Sequence, residues 1–289
     1  MVRTTDSWVD SFADVASLAG LSSSSRLWVP GPKTATMNLF AAVHAAVLGA
    51  HLVDDVDDAT HAFLTPHLLA RHLANLSGRT VVVAGDRLTP ALHDRARSAG
   101  ATVHHYYGAA ELSFVAWGAH ADDLRPFPGV EVSVRSGEVW ARSPYLCLGY
   151  DGPPGPLRRD ADGFATVGDR GELREGRLVV RGRDDAVTTG GATVAVADVE
   201  AVLLPRATGD VVVLGVAHGD LGAVLAVVLT VRADHAPLLE TARAGLRGAQ
   251  RPRLWFHVPD LPVTPAGKVD RTALVSLVSG DRRRFDPLL

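Results

Sequence analysis

The sequence predicts an α/β protein in three parts: a large domain on a mostly parallel sheet, a small β-rich subdomain within it, and a compact α+β C-terminal domain. Three observations predict this. Helix-period and strand-period segments alternate through the first third of the chain. Between Gly129 and Val180 the pattern shortens to brief strands and tight turns. Beyond Val180, helices and Val-rich strands share a span of about 100 residues, a normal domain size.

Taken in order, Ser7 to Leu18 reads as an amphipathic helix, and Arg26 to Val29 as a strand stopped by Pro30-Gly31-Pro32. Asn38 to Leu48 is an Ala-rich helix whose small residues allow close packing. Thr65 to Leu76 is a helix with Pro66 in its first turn. Thr80 to Ala84 is apolar throughout, as a strand buried on both faces must be, and Gly85-Asp86 ends it. Leu88 to Ala99 is a helix with Thr89 as cap before Pro90, and Ala101 to Tyr106 is the next strand. This order implies parallel pairing. Ligands of such sheets sit at the C-terminal strand ends, so Gly85-Asp86 and a loop from Tyr107 to Glu111 should line one site. In the β-rich part Ser136-Gly137 and Asp162-Gly163 are turn signals. The C-terminal part reads as a helix (Val196 to Leu203), two strands (Asp210 to Ala217, Gly222 to Val231), a helix (Ala236 to Gly245) and a strand (Leu254 to Val258).

Composition narrows the function. A net charge of −3 over 289 residues argues against a general nucleic-acid binder. The single cysteine, Cys147, is read as a core residue in a strand. It can build no disulfide framework within the chain and suits a reducing cytoplasm. The apolar run from Val211 to Val216 is too short to span a bilayer. Lysine occurs only at positions 33 and 268, which makes each instance informative.

Five segments then occur in one order: YYGAAE (106–111), GEVWARSPYLCLGY (137–150), DGFATVGDRGEL (162–173), GRDDAVTTGGATVAVADVE (182–200) and LPVTPAGKVDR (261–271). Together they resemble the motif series of the adenylate-forming (AMP-binding) superfamily, of the acyl-CoA synthetase type. The resemblance covers residues from about 80 to 271. It implies a partial AMP-binding large domain at 1–183, with its β-rich subdomain near 129–180, and a mobile C-terminal domain at 184–289.

The resemblance also assigns roles. Glu111 binds Mg²⁺ on ATP, although Ala110 stands where the family usually has Thr or Ser. A carboxylate near a helix start is the alternative for Glu111. Tyr107 and Gly108 match the adenine-stacking aromatic and its glycine, and Gly85 and Asp86 the loop beside the adenine and acyl pocket. Asp169 binds the ribose hydroxyls, or is a turn residue bonding its own backbone; Val167 departs from the usual Thr. Arg183 also contacts the ribose, or is a surface ion-pair residue. Asp184 and Asp185 match the pivot of the moving domain, with one residue fewer than usual after Arg183. Lys268 contacts the carboxylate and the bridging phosphate oxygen, or sits in a surface loop. Gly190 and Gly191 shape a loop beside the pantetheine channel. PGPKTATMN stands where the family often has an aromatic-His gate.

The implied chemistry is activation of a fatty or aromatic carboxylic acid by ATP as acyl-AMP, then transfer to coenzyme A or an acyl carrier protein. The family's phosphate loop is expected just before Ser7 and is not matched in the sequence, so adenylation is expected to suffer most. A non-catalytic module binding AMP or acyl-adenylate, and a subunit completed by a partner carrying the loop, are the alternatives.

Overall fold

The computed structural model describes residues 1–183, 186–219, 221–265, 267–279 and 286–287. Two units emerge: Met1–Val180 with Pro265–Lys268, and Arg181–Thr264 with Val269–Leu289.

In the first unit, helices α1 (Asp6–Val9) and α2 (Phe12–Ala19) precede β1 (Arg26–Trp28), α3 (Thr36–Leu48), β2 (His51–Val53), β3 (His61–Leu64), α4 (Pro66–His72), β4 (Thr80–Val83), α5 (Pro90–Ser98) and β5 (Thr102–Ala109). Strands β6 (Ser113–Gly118) and β7 (Arg125–Pro126) complete a seven-stranded sheet ordered β2-β1-β3-β4-β5-β6-β7. The pairs from β2 to β5 are parallel, and β5–β6 and β6–β7 are antiparallel.

Side chains on the strands alternate between two cores. Trp28, Ala62, Leu64, Val81 and Val83 join Leu69 of α4 and Leu92 of α5. Leu27, Phe63 and Val82 join Val15 of α2 and Phe40 of α3 on the other face. All three valines of β4 have no exposed surface, as an apolar strand between two helix layers requires.

The expected helix from Ser7 to Leu18 is broken. The Ser11 hydroxyl donates to the Trp8 carbonyl at 2.7 Å, a local side-chain bond that competes with the helix ladder, and α1 and α2 separate there. Thr65 and Thr89 cap α4 and α5: each hydroxyl accepts the N–H three residues on, and proline follows each cap.

The β-rich part contains β8 (Glu131–Arg135), β9 (Glu138–Arg142), β10 (Arg158–Arg159), β11 (Ala165–Thr166), β12 (Asp169–Arg174) and β13 (Arg177–Arg183). They form one sheet, ordered β10-β11-β9-β12-β13 with β8 on β9. Ser136-Gly137 makes the β8–β9 turn, as the sequence predicts. Cys147 is fully buried, but in irregular chain rather than a strand.

The second unit holds β14 (Ala186–Thr189), β15 (Ala192–Ala195), α6 (Val196–Leu203), β16 (Val211–His218), β17 (Gly222–Leu229), α7 (His235–Gly245), β18 (Leu254–His257), α8 (Arg271–Ser279) and β19 (Asp286–Pro287). Period-2 alternation divides its core. Val211, Val213, Leu225 and Val227 meet α6 and α7, whereas Val212, Leu214, Ala226 and Val228 meet Leu274 and Val278 of α8. The buried Asp234 carboxylate accepts from the Thr208 N–H (2.8 Å), the Thr208 hydroxyl (2.6 Å) and the Gly209 N–H (2.9 Å), which compensates its burial.

Two buried histidines make the first unit acid-sensitive. His105 bonds the Val83 carbonyl at 3.0 Å, and burial pushes its pKa down to about 4. His44 stacks on Phe12 at 4.5 Å, and burial also lowers it to about 4. The Phe12 carbonyl opposes that shift only in part, because neither His44 ring nitrogen has a partner in hydrogen-bond geometry. Between about pH 4 and the ordinary 6.5, the unfolded chain binds protons that the folded chain refuses. Stability is therefore complete above 6.5 and falls with pH through that window, by at most about 1.4 kcal/mol per pH unit for each imidazole. His44→Leu should reduce the slope of urea-derived stability against pH in this window by up to one proton. An unchanged slope would contradict the assignment.

Candidate functional site

The site forms where the parallel sheet stops being parallel. Tyr107 to Glu111 is not the loop expected from sequence: β5 continues to Ala109, turns, and returns as β6. No helix begins at Glu111, so the helix-start alternative for it falls. The register slips between Tyr107 and Gly108, a bulge that re-aims the chain. A Cβ on Gly108 would lie 2.1 Å from the Ser113 carbonyl oxygen, so only glycine fits this approach.

Alternation along β5 sends neighbouring tyrosines opposite ways. Tyr106 packs on Phe114 and Trp117, and burial pushes its phenol pKa upward. The Tyr107 hydroxyl instead donates to Oδ2 of Asp169 at 2.7 Å. Asp169 is the first residue of β12, separated from the end of β11 by Val167 and Gly168. The preceding turn is fixed by Thr166, whose hydroxyl donates to Glu138 Oε1 at 2.7 Å and accepts the Gly168 N–H at 3.1 Å. Two motif residues 62 positions apart in sequence thus meet directly.

Glu111 is gripped by its surroundings. The Cys147 N–H donates to its carbonyl at 2.9 Å, and the Tyr150 hydroxyl donates to its Oε1 at 2.7 Å. The Arg3 guanidinium bonds the adjacent Ala110 carbonyl and lies over the Trp8 ring. Burial lowers the Arg3 pKa, with Cys147 and Glu111 opposing. Among the described residues no group of three or more His, Cys, Asp or Glu side chains could hold a metal ion. One carboxylate fits magnesium carried on nucleotide phosphates, since that ion commonly takes one or two protein carboxylates and fills its shell with phosphate and water oxygens.

Beside Gly108 opens a cleft of about 190 Å³. Phe40, Phe114 and Tyr106 supply its aromatic wall, and Arg3 its cation from the N-terminal segment. Gly85 and Lys268 also line it. Gly85 has φ +90°, and a Cβ there would stand 3.3 Å from Lys268 Cε. Asp86 is exposed, its carboxylate accepting the Arg87 N–H at 2.7 Å. Arg183 ends β13; the pivot residues Asp184 and Asp185 lie outside the described residues. Gly190-Gly191 forms the tight β14–β15 turn.

Sequence reasoning passed over Arg3, Thr65, Phe40 and Tyr150. Only two had a visible signal: Thr65 stands before Pro66 as a cap, and Tyr150 closes a quoted motif.

The last parallel strand of the sheet thus ends at a tyrosine–aspartate pair, with a carboxylate on the turn that follows. The chain belongs to the adenylate-forming superfamily, among the acyl-CoA synthetase-like ligases. It is 30% identical to 2-succinylbenzoate–CoA ligase of Escherichia coli K12, over 74% of this chain and 50% of that protein. It is 33% identical to the 2-succinylbenzoate–CoA ligase of Salmonella typhimurium LT2, again over 74% and 50%. A variant of E. coli MenE with bound OSB-AMS superposes with a TM-score of 0.81 at 25% identity, over 97% of this chain and 66% of that one. The chain thus spans about half the length of the curated relatives it matches. No protein-family model matches it. No helix among the described residues is long and apolar enough to cross a membrane.

Gly108→Ala should drive a methyl group into the Ser113 carbonyl. Overpacking of this kind costs about 1–3 kcal/mol, read as a lower urea midpoint, and AMP binding should be lost with it. A variant of wild-type stability and AMP affinity would show that the bulge is dispensable.

Proposed function

We propose that the chain carries the nucleotide site and the C-terminal catalytic segment of an ATP-dependent acid–thiol ligase. In the first half-reaction a carboxylate oxygen of a fatty or aromatic acid attacks the α-phosphorus of ATP, and pyrophosphate leaves. In the second, the thiol of coenzyme A or of a carrier protein's phosphopantetheine attacks the acyl carbon, and AMP leaves with its electron pair. The observation that carries this reading is the 2.7 Å Tyr107–Asp169 bond beside the Gly108 bulge, with Glu111 on the same turn.

Tyr107 and Gly108 form the adenine platform, and Asp169, with Arg183, receives the ribose hydroxyls. Gly85 and Asp86 border the adenine and the acyl group. The aromatic wall of the cleft suits a compact acyl group, because about 190 Å³ is small beside common ligand pockets. Glu111 would hold magnesium carried on the ATP phosphates, and the ion would supply neutralisation of their charge. Lys268 neutralises the carboxylate and the bridging oxygen as adenylation proceeds. The β- and γ-phosphates are held by a loop that lies outside the motifs matched here, on the same polypeptide or on a partner. The reaction is placed in the cytoplasm.

Pyrophosphate exchange into ATP with a panel of fatty and aromatic acids tests the first half-reaction, with AMP binding by calorimetry beside it. Acid-dependent exchange is expected once the phosphate loop is supplied; a chain binding neither AMP nor ATP would refute the proposal. Lys268→Ala should slow adenylation by at least about 10²-fold and leave thioester formation from supplied acyl-AMP largely intact. Equal loss in both halves would contradict that role. Tyr107→Phe should weaken AMP by roughly 3- to 10-fold, the worth of about 0.5–1.5 kcal/mol for one hydrogen bond.

A further inference from the structure

Tyr150 closes the segment GEVWARSPYLCLGY and has no part in the scheme above. Its hydroxyl donates to Glu111 Oε1 at 2.7 Å and accepts the Leu157 N–H at 3.2 Å. The backbone donor fills the acceptor side of that oxygen, so its proton is committed to the carboxylate. The ring is clamped as well. A Cβ on Gly155 would fall 2.2 Å from the Tyr150 Cζ, so the loop closes over the ring only because glycine stands there. Glu111 is equally fixed from behind, through its own carbonyl on the Cys147 N–H and the Ala110 carbonyl on Arg3.

We propose that Tyr150 is a positioning residue: by occupying Oε1 it makes Glu111 a one-oxygen ligand for the nucleotide-borne metal, and so favours magnesium over calcium. The inference rests on the reading of Glu111 as the metal-binding carboxylate. Magnesium demands a tight octahedron and is satisfied by one oxygen per carboxylate. Calcium takes six to eight oxygens and accepts both oxygens of one carboxylate. Pinning Oε1 on a phenol removes the second mode. Groups that orient metal ligands in this way commonly change metal affinity by 10- to 100-fold when removed.

The test compares the full chain with Tyr150→Phe and Glu111→Gln. Mg²⁺ and Ca²⁺ are titrated by calorimetry into each protein saturated with a non-hydrolysable ATP analogue, and AMP binding in chelator reports an intact nucleotide site. Tyr150→Phe should weaken Mg²⁺ by roughly 10-fold or more and narrow the preference for Mg²⁺ over Ca²⁺. An unchanged preference in Tyr150→Phe, with metal lost in Glu111→Gln, overturns the role of Tyr150 and leaves Glu111 as the ligand. Metal affinity unchanged in Glu111→Gln removes the underlying reading and this inference with it.

Discussion

The approach of the Ser113 carbonyl to Gly108 is the constraint from which the site follows. A parallel sheet presents strand ends and connecting loops on one edge. Here the last parallel strand does not leave through a loop; it bulges, turns within three residues and pairs back on itself. The absence of one methyl group permits the reversal. Its geometry sets Tyr106 against Phe114 in the aromatic wall, leaves Tyr107 facing Asp169, and delivers Glu111 to Tyr150. Three candidate functions therefore share one backbone feature.

Around that turn the molecule spends polar contacts on position more than on stability. Arg3, Cys147 and Thr166 bond backbone carbonyls, carboxylates or N–H groups that neighbour a candidate residue. Individually such bonds contribute modest net stability, but together they leave the candidate carboxylates little rotational freedom. The chemistry of the site is in a few motif residues, and its precision is in ordinary ones.

Much of this was legible in the sequence. TVVVA announces a strand buried on both faces, Thr65-Pro66 and Thr89-Pro90 announce capped helices, and the order of five motifs announces the family. What escaped has physical causes. Whether chain turns as a loop or as a bulged hairpin depends on a carbonyl packed against a glycine, which local propensity does not encode. Ser11 looks like a tolerable helix residue until its hydroxyl takes the Trp8 carbonyl. His51–Val53 and His61–Leu64 are too short to show a period; the first becomes a strand by pairing with β1, and the second by lying between β1 and β4. Arg3 and Tyr150 reach the turn over 107 and 39 residues, and no pattern in the sequence points that far.

The alternating cores of β16 and β17 carry a hidden risk. Both strands are apolar on both faces, so the usual in–out code that penalises a one-residue slip is weak. Val213 adds a polar anchor on the outer edge of β16. Among the described strands β16 pairs with β17 alone, and the Val213 N–H donates to Glu200 Oε1 at 3.0 Å while its carbonyl accepts from Arg271 at 2.7 Å. Glu200 and Arg271 bond each other at 2.8 Å and so form a polar clip on the bare side of the strand. The clip satisfies a backbone pair that faces away from β17. The final residues of two of the quoted motifs thus cap an edge on which another chain could otherwise begin to stack.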